Sequence, residues 1–375
     1  MQTIAPVRRD NAGAPPPGAP AGAASAATTT RPPVSLAIVT DAWHPQVNGV
    51  VTTMETVVEC LRAQGHRVEV IEPSTFHTVP CPAYPEIRLA VDTWHVGRRL
   101  RALAPERIHI VTEGPLGRAA MRFVRHRGWR HTTAFHTRFP EYIRARLPFI
   151  PLSWGYAHLR RFHASSAAVL VPTPQMARDL AERGFRRPVV WSRGVDTTLF
   201  HPNAATPTTD PRPIMLYVGR VAREKNLEAF LALDVPGTKW IVGDGPDRVG
   251  LEKRYPEAVF TGCLRGRALA ARYAAADVFV FPSRTDTFGV VMLEAMACGT
   301  PIAAYPVTGP IDVVHAGVTG CLHENLGQAI ESALKLDRHA CRAQALEHGW
   351  PEAARFFLDQ TVTCRRSGTS RTIGG

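Results

Sequence analysis

Short apolar runs alternate with amphipathic stretches along the first half of the chain, beginning at Val34. Apolar runs of about four to eight residues predict strands, and apolar positions at helical spacing predict helices. The predicted strands are residues 34–40, 67–72, 107–112, 132–137, 167–173 and 187–192. The predicted helices include residues 48–64, 115–128 and 174–184. This alternation favours a parallel sheet covered by helices on both faces.

The alternation restarts after Pro202 to Pro213, a segment rich in proline and threonine that is typical of a linker. The strands predicted beyond it are residues 214–218, 239–242, 258–260, 277–281 and 301–304. The chain from Asn325 is predicted to be helical throughout. The sequence therefore predicts an α/β protein with two doubly wound, Rossmann-like domains that face each other across a cleft. Ligands of such sheets bind beyond the carboxyl ends of the strands, so the site is expected in the cleft.

The two ends of the chain differ from its middle. Residues 1–33 consist mainly of alanine, proline, glycine and threonine, and they contain too few large apolar side chains to offset the entropy of ordering. We therefore expect a disordered tail there. The predicted organisation is this tail (1–33), a first domain (34–201), a linker (202–213), a second domain (214–345) and a closing segment (346–375). The closing segment is expected to form a helix that crosses back to the first domain, followed by a loose tail.

Composition limits the class of protein. The 375 residues, 45% of them apolar, are enough for two cores. No apolar run approaches the roughly 20 residues that span a bilayer, and the N-terminus lacks the apolar stretch of a secretory signal. The seven scattered cysteines are most simply reduced thiols, which favours a cytoplasmic location. The net charge of +12 indicates an anionic partner, unless the arginines are merely spread over solvated surfaces.

The most informative segment is a predicted strand over residues 277–283, a loop over 284–288 and a helix that opens near Gly289. The first N–H groups of a helix have no internal partner and lie at the positive end of its dipole, so they form an anion site. Asp286 precedes this helix, and Glu294 points back toward its start. Carboxylates there are suited to accept hydrogen bonds from sugar hydroxyls beside a phosphate. The segment therefore predicts a nucleotide-linked ligand.

Cations are also placed near predicted strand ends. Arg220 and Lys225 lie at and just past the end of the second domain's first strand, and Arg193 stands beside a glycine. Each cation alone would be an ordinary surface charge. Two cations that converge on a cleft opposite helix-start amides suit a diphosphate, and this combination favours the phosphate interpretation.

The first domain offers Gly49 and His136, which follow its first and fourth strands. Gly49 would let a ligand approach the backbone, although a plain capped turn is the ordinary alternative. His136 at a strand end would face the cleft, and a structural histidine is an equal alternative. The chain contains no GxGxxG after a strand, no GxxxxGK[ST], no GxSxG and no metal-ligand spacing. Dinucleotide dehydrogenases and P-loop phosphotransferases are therefore disfavoured.

Taken together, these motifs resemble those of the retaining glycosyltransferases of family 4, whose fold is called GT-B. The likeness extends from about residue 34 to the C-terminal helices. The resemblance implies nucleotide or phosphate contacts at Gly49, Arg193, Arg220, Lys225, Thr287, Phe288, Gly289, Val290 and Glu294. It also implies that His136 and Asp286 contact the transferred sugar, and that these two act with Arg220 and Lys225 in catalysis.

The resemblance further implies a UDP- or GDP-sugar donor, a lipid or glycan acceptor, no cofactor and no dedicated metal. Attack would occur on the face from which the leaving group departs, and closure of the domains would exclude water. One residue departs from the family pattern, because Asp286 stands where a glutamate is usual. We expect activity to survive with altered sugar contacts.

The acceptor is indicated only indirectly. Residues 147–163 mix aromatic and basic side chains, and Arg98, Arg99 and Arg101 cluster upstream. These residues would suit a lipid acceptor and peripheral contact with the anionic inner face of a membrane. Alternatively, Trp154 and its neighbours simply pack one helix onto the core.

Two other functions remain open at this point. One is a nucleotide-sugar isomerase or phosphorylase on the same scaffold, which would consume the donor without a glycosyl acceptor. The other is a non-catalytic basic protein that binds nucleic acid or a membrane by charge. Because the latter leaves the pairing of cations with Asp286 and Glu294 unexplained, we expect no specific nucleic-acid partner.

Overall fold

A computed structural model describes residues 32–46, 48–81, 84–146 and 149–364. Most of the predicted N-terminal tail and residues 365–375 of the predicted C-terminal tail lie outside these residues. Of the helices in the described part of the chain, none combines the length and the apolar character needed to cross a bilayer.

The strands lie close to the predicted positions. They are β1 (Ser35–Val39), β2 (Arg67–Ile71), β3 (Thr78–Cys81), β4 (Tyr84–Ala90), β5 (Arg107–Ile110), β6 (Thr132–Ala134), β7 (Val169–Val171), β8 (Pro188–Val190), β9 (Ile214–Val218), β10 (Thr238–Val242), β11 (Val259–Gly262), β12 (Val278–Phe281), β13 (Ile302–Ala304) and β14 (Gly320–Leu322). The hairpin of β3 and β4 and the short strand β14 were not predicted.

The helices alternate with these strands. They are α1 (Gly49–Ala63), α2 (His95–Leu103), α3 (Pro115–Arg127), α4 (Phe139–Arg146), α5 (Leu152–His163), α6 (Pro174–Glu182), α7 (Leu227–Leu231), α8 (Arg248–Arg254), α9 (Gly266–Ala275), α10 (Val290–Ala297), α11 (Pro310–Val313), α12 (Leu326–Ala333), α13 (Arg338–Ala345) and α14 (Trp350–Gln360). The chain beyond Asn325 was predicted to be helical throughout, which is wrong in detail because two breaks separate three helices. Asp337 and Gly349 stand at the N-caps that follow these breaks.

Two parallel sheets organise the molecule, as the sequence predicted, and each of them has six strands. Their strand orders are β2-β1-β5-β6-β7-β8 and β11-β10-β9-β12-β13-β14. In each sheet the order reverses beside the first strand, β1 or β9. This is the topological switch point at which ligands of such sheets bind.

Both faces of the first sheet are covered. Leu36 and Ile38 of β1 pack with α1 and α14, whereas Ala37 and Val39 pack with α2 and α3 on the opposite face. This division follows from the alternation of side chains along a strand. The last helix, α14, joins the first sheet through Phe357, whose ring lies 4.8 Å from that of Trp191.

Candidate active site

The start of α10 is open toward the predicted anion position. Gly289 occupies its N-cap in the left-handed region, with φ of +87°, and no side chain caps this helix among the described residues. A Cβ at Gly289 would also lie 3.0 Å from the ring of Phe281. Glycine is therefore required here, and the uncapped amides can receive an anion.

Lys225 and Asp286 form an ion pair beside this helix start, with side chains 21% and 15% exposed. Lys225 ends a short 3₁₀ turn that follows β9. Two further bonds join its loop to the strand-end loop: Asn226 Nδ2 donates to the carbonyl of Pro282 (3.1 Å), and Thr285 Oγ1 donates to that of Glu224 (3.3 Å). The structure therefore brings together a cation, a carboxylate and helix-start amides.

Arg220 lies in the same connection between β9 and α7. Its backbone carbonyl accepts a hydrogen bond of 2.8 Å from the hydroxyl of Tyr217, and its side chain is half-buried. Tyr217 is itself buried. Its hydroxyl therefore fixes the backbone from which Arg220 projects.

Glu294 is half-buried in α10. Burial raises the pKa of its carboxyl group to about 7, and a hydrogen bond from Tyr273 partly counteracts this rise. The hydroxyl of Tyr273 donates to Oε2 at 2.8 Å. Glu294 is therefore close to its point of half-ionisation at neutral pH.

His136 and Arg193 contact each other in the first half of the chain. Arg193 is 4% exposed, and its guanidinium lies 4.0 Å from the ring of Trp191. Its Nη2 donates to Nδ1 of His136 at 3.3 Å. Since a guanidinium only donates, Nδ1 accepts, and the proton of the neutral imidazole must be on Nε2.

The charge of this pair is set by burial. Burial, together with the positive charge of Arg193, holds the pKa of His136 well below its usual value, and burial alone lowers the pKa of Arg193 to about 9. The buried Nε2 of His136 has no hydrogen-bond partner within the described residues. His136 is therefore a neutral ring whose Nε2–H group is buried and has no partner among the described residues.

The two halves of the site meet at Thr287. Its Oγ1 donates to the backbone carbonyl of His136 at 2.7 Å, and the guanidinium of Arg193 lies 6.0 Å from the ring of Phe288. Arg193 thus reaches the loop that precedes α10. Its guanidinium donates hydrogen bonds to His136 and to the carbonyl of Trp191.

Gly49 begins α1, where the side chain of Asn48 caps the amides of Val50 and Val51. A Cβ built at Gly49 would meet nothing within 4 Å. The position is therefore an open surface at the start of a helix.

Three residues near the site were not predicted from the sequence. Tyr273 binds Glu294, Arg138 bridges Asp179 and Thr308, and a Cβ at Gly309 would come within 3.2 Å of the carbonyls of Asp286 and Phe288. The dipeptide formed by Gly309 and the following proline is a turn signal that marks the loop. No local signal indicates the other two contacts, because they join distant parts of the chain.

Both halves of the chain match families of known proteins. A family model described as Glycosyltransferase Family 4 matches residues 47–199, and one described as Glycosyl transferases group 1 matches residues 212–336. A GDP-mannose-dependent alpha-mannosyltransferase of Mycolicibacterium smegmatis is 36% identical over 90% of this chain and 93% of its own length.

Two further proteins extend the comparison. A GDP-mannose-dependent alpha-(1-6)-phosphatidylinositol dimannoside mannosyltransferase of Mycobacterium tuberculosis is 26% identical, with 85% of this chain and 94% of that protein covered. The solved structure of sucrose-phosphate synthase from Thermosynechococcus elongatus superimposes with a TM-score of 0.73 at 21% identity, covering 88% of this chain and 98% of that chain.

The two family models and the M. smegmatis relative identify the protein as a glycosyltransferase, and its two Rossmann-like sheets give it the GT-B fold. More specifically, the chain belongs to glycosyltransferase family 4.

Proposed function

We propose that this protein transfers a hexose, with retention of anomeric configuration and without a metal, from a nucleotide diphosphate sugar to a lipid or glycan acceptor. The observation that carries the proposal is the convergence of Lys225, Asp286 and the uncapped start of α10 with His136 of the first half. A diphosphate needs cations and amides, and a sugar beside it needs carboxylate and imidazole partners.

The proposed roles follow from this arrangement. Arg220, Lys225 and the amides of residues 287–290 hold the diphosphate, and Glu294 accepts hydrogen bonds from the ribose. Asp286 contacts the sugar, and Lys225 then interacts with both Asp286 and the phosphate. Gly49 leaves room for the pyrophosphate beside the start of α1.

Transfer would proceed on one face of the sugar. The bond from the anomeric carbon to the diphosphate oxygen breaks, the acceptor oxygen bonds to the same face, and the acceptor proton passes to the departing diphosphate. The developing negative charge is stabilised by the two cations and the helix-start amides. The Nε2–H of His136 donates to the sugar, and Arg193 serves the site by holding that tautomer.

We propose GDP-mannose as the donor. Its support is the M. smegmatis relative, whose name states dependence on GDP-mannose and which aligns over 93% of its length. The more distant M. tuberculosis relative, whose name refers to a phosphatidylinositol dimannoside, supports a lipid acceptor.

Ligand-induced thermal stabilisation tests the donor site. GDP, UDP, ADP and their sugars would be compared on the wild type, Lys225→Ala and Glu294→Ala. A ligand at a hundred times its Kd adds about 2.7 kcal/mol of stability. We expect stabilisation by GDP and GDP-mannose in the wild type and a smaller shift in both variants. No shift from any nucleotide with folded protein would refute the proposal.

The reaction itself needs a second measurement. NMR of the product would show the same anomeric configuration as the donor, and activity would persist in EDTA. Donor consumption that requires inorganic phosphate, or no second substrate, would instead identify a phosphorylase or an isomerase.

A further inference from the structure

Three helices on one face of the first sheet carry charge of a single sign. α2, α3 and α5 contain three, four and two arginines, respectively, and no aspartate or glutamate. On the opposite face, α1 and α14 each contain both acidic and basic residues. α6, which packs beside α5, contains Asp179 and Glu182, so the imbalance belongs to α2, α3 and α5 and is not spread over the domain.

The three helices form a continuous surface. Leu100 of α2, Leu116 of α3 and Phe162 of α5 pack into one apolar cluster beneath them. At the surface, Nη2 of Arg118 on α3 contacts Nε2 of His158 on α5 at 3.0 Å. We call the outer surface of α2, α3 and α5 the arginine face.

Much of this charge is not neutralised within the protein. Arg98, Arg101, Arg122, Arg125 and Arg161 are exposed. In the part of the chain that the structure describes, no carboxylate forms an ion pair with any arginine of these three helices. The arginine face is therefore complementary to a surface of negative charge.

Large aromatic side chains are exposed at one edge of this face. Trp94, Phe149 and Trp154 are 70%, 78% and 72% exposed. Trp94 directly precedes α2, and the other two lie just before α5 and in its first turn. Because these helices lead into strands β5 and β7, their N-termini lie at the carboxyl edge of the sheet. That edge also holds His136, so the aromatic residues lie on the same side of the domain as the candidate active site.

We propose that the arginine face docks on an anionic lipid bilayer, with Trp94, Phe149 and Trp154 entering the headgroup region. Tryptophan prefers the boundary between headgroups and acyl chains, and clustered arginines are attracted by anionic headgroups. Nucleic acid would satisfy the arginines but gives no reason for aromatic residues confined to one edge. Delivery of a lipid acceptor to the cleft rests on the proposed function, whereas docking itself is independent of any substrate.

Vesicle co-sedimentation without substrate tests the docking. Full-length protein would be mixed with phosphatidylcholine vesicles, with and without phosphatidylglycerol, at low and high salt. The variants are Arg122→Glu with Arg125→Glu, and separately Trp154→Ser. The control is Lys253→Glu with Lys335→Glu, which makes the same charge change at two exposed positions of the second half.

We expect salt-sensitive binding to the anionic vesicles alone. Each arginine near such a surface contributes about fivefold in affinity, so the double reversal should weaken binding by about 25-fold or more. Trp154→Ser, tested separately, should weaken vesicle binding also at high salt, where the contribution of the arginines is screened. The control should bind as the wild type does. The thermal shift caused by GDP, measured on every variant, reports folding and donor binding separately from docking.

Three results would overturn the proposal. They are equal binding by the wild type and the arginine variant, equal binding to neutral and anionic vesicles, and binding to a short single-stranded oligonucleotide that exceeds vesicle binding and is unaffected by Trp154→Ser.

Discussion

At the scale of single residues, Glu294 and Tyr273 form a unit whose charge depends on pH. The pKa of Glu294 is raised to about 7 by burial, and the hydroxyl of Tyr273 stabilises the ionised form. The proposed ribose contact requires the ionised carboxylate as an acceptor. A nucleoside diphosphate should therefore bind more tightly to the enzyme in which Glu294 is deprotonated.

This unit predicts a pH-dependent affinity for GDP. Affinity should fall by up to about tenfold per pH unit as the pH drops below about 7, because Glu294 becomes protonated. Tyr273→Phe removes the hydrogen bond, raises the pKa further and should move the fall to higher pH. Isothermal titration calorimetry across this pH range measures the GDP affinity of the wild type and of Tyr273→Phe. Glu294→Gln is the control, since its remaining pH dependence belongs to the nucleotide. Identical profiles for the wild type and Glu294→Gln would contradict the assignment.

Gly49 allows a test of close approach that leaves the fold intact. A Cβ at Gly49 meets nothing within 4 Å, so Gly49→Ala should leave Tm essentially unchanged. The added methyl group should nevertheless obstruct the pyrophosphate, and we expect GDP affinity to fall by about tenfold or more, the equivalent of 1.4 kcal/mol. Gly250→Ala is the matched control, because Gly250 also has open space and lies on α8. Unchanged GDP affinity in Gly49→Ala would remove Gly49 from the site.

Arg193 and His136 predict a defined tautomer. In the wild type, ¹⁵N NMR of the His136 ring should show the proton on Nε2, because Nδ1 accepts from Arg193. Arg193→Met removes this donor and a positive charge, so the tautomers should mix and the pKa of His136 should rise. Arg193→Lys should restore part of the wild-type spectrum. A wild-type ring protonated on Nδ1 would show that Arg193 does not hold His136.

At the scale of elements, the sequence predicts best where apolar runs are long. The bounds of β9, Ile214–Val218, match the prediction, and α3 ends within one residue of it. By contrast, β14 consists of Gly320, Cys321 and Leu322, none of which is a β-branched or aromatic residue, and the β3–β4 hairpin carries a polar and proline-containing sequence.

The site was predictable only as far as it follows from single elements. Strand ends and helix starts place Gly49, His136, Lys225 and Asp286 without knowledge of the fold. The partners of Glu294 and Arg193 are contributed by elements 21 and 57 residues away, and their pairing depends on the packed structure. The packing alternative for α5 was correct for Tyr156, Leu159 and Phe162, which are buried, and wrong for the exposed Trp154.

The helix α14 provides a prediction about stability. Phe357 is fully buried against the first sheet, whereas the neighbouring Phe356 is 43% exposed. Phe357→Ala should lower the free energy of unfolding by about 3–5 kcal/mol, since it leaves a cavity in a packed core. Phe356→Ala should cost far less. Urea denaturation of both variants gives the comparison, and similar costs would contradict the packing of α14.

At the scale of the whole molecule, hydrogen bonds within the described residues join segments that follow strands of the two sheets. Besides the bond from Thr287 to His136, Arg138 Nη2 donates to Thr308 Oγ1 (3.0 Å), and the amide of Gln175 donates to Asp312 Oδ1 (3.3 Å). Two of these bonds involve residues with no proposed ligand contact. These two bonds should therefore stabilise the closed cleft without taking part in the chemistry.

Thr308→Val tests this closure. The substitution keeps the shape of the side chain and removes the oxygen that accepts a hydrogen bond from Arg138. Because this bond is charge-assisted, its loss should shift the balance between closed and open clefts by about tenfold. Small-angle X-ray scattering should then give a larger radius of gyration for the ligand-free variant. A saturating nucleotide should restore the wild-type value, because the ligand contacts both halves and binds the closed form more tightly.

The control for this experiment is Thr56→Val, since the hydroxyl of Thr56 bonds only within α1 and its loss should leave the radius of gyration unchanged. A Thr308→Val protein with the wild-type radius and wild-type KM would show that this bond has no part in closure. A larger radius that nucleotide fails to reduce would mean that the ligand does not bridge the cleft, which would also count against a donor site shared between His136 and Lys225. Closure and donor binding are thus separable, because the first changes the shape of the free protein and the second changes its response to nucleotide.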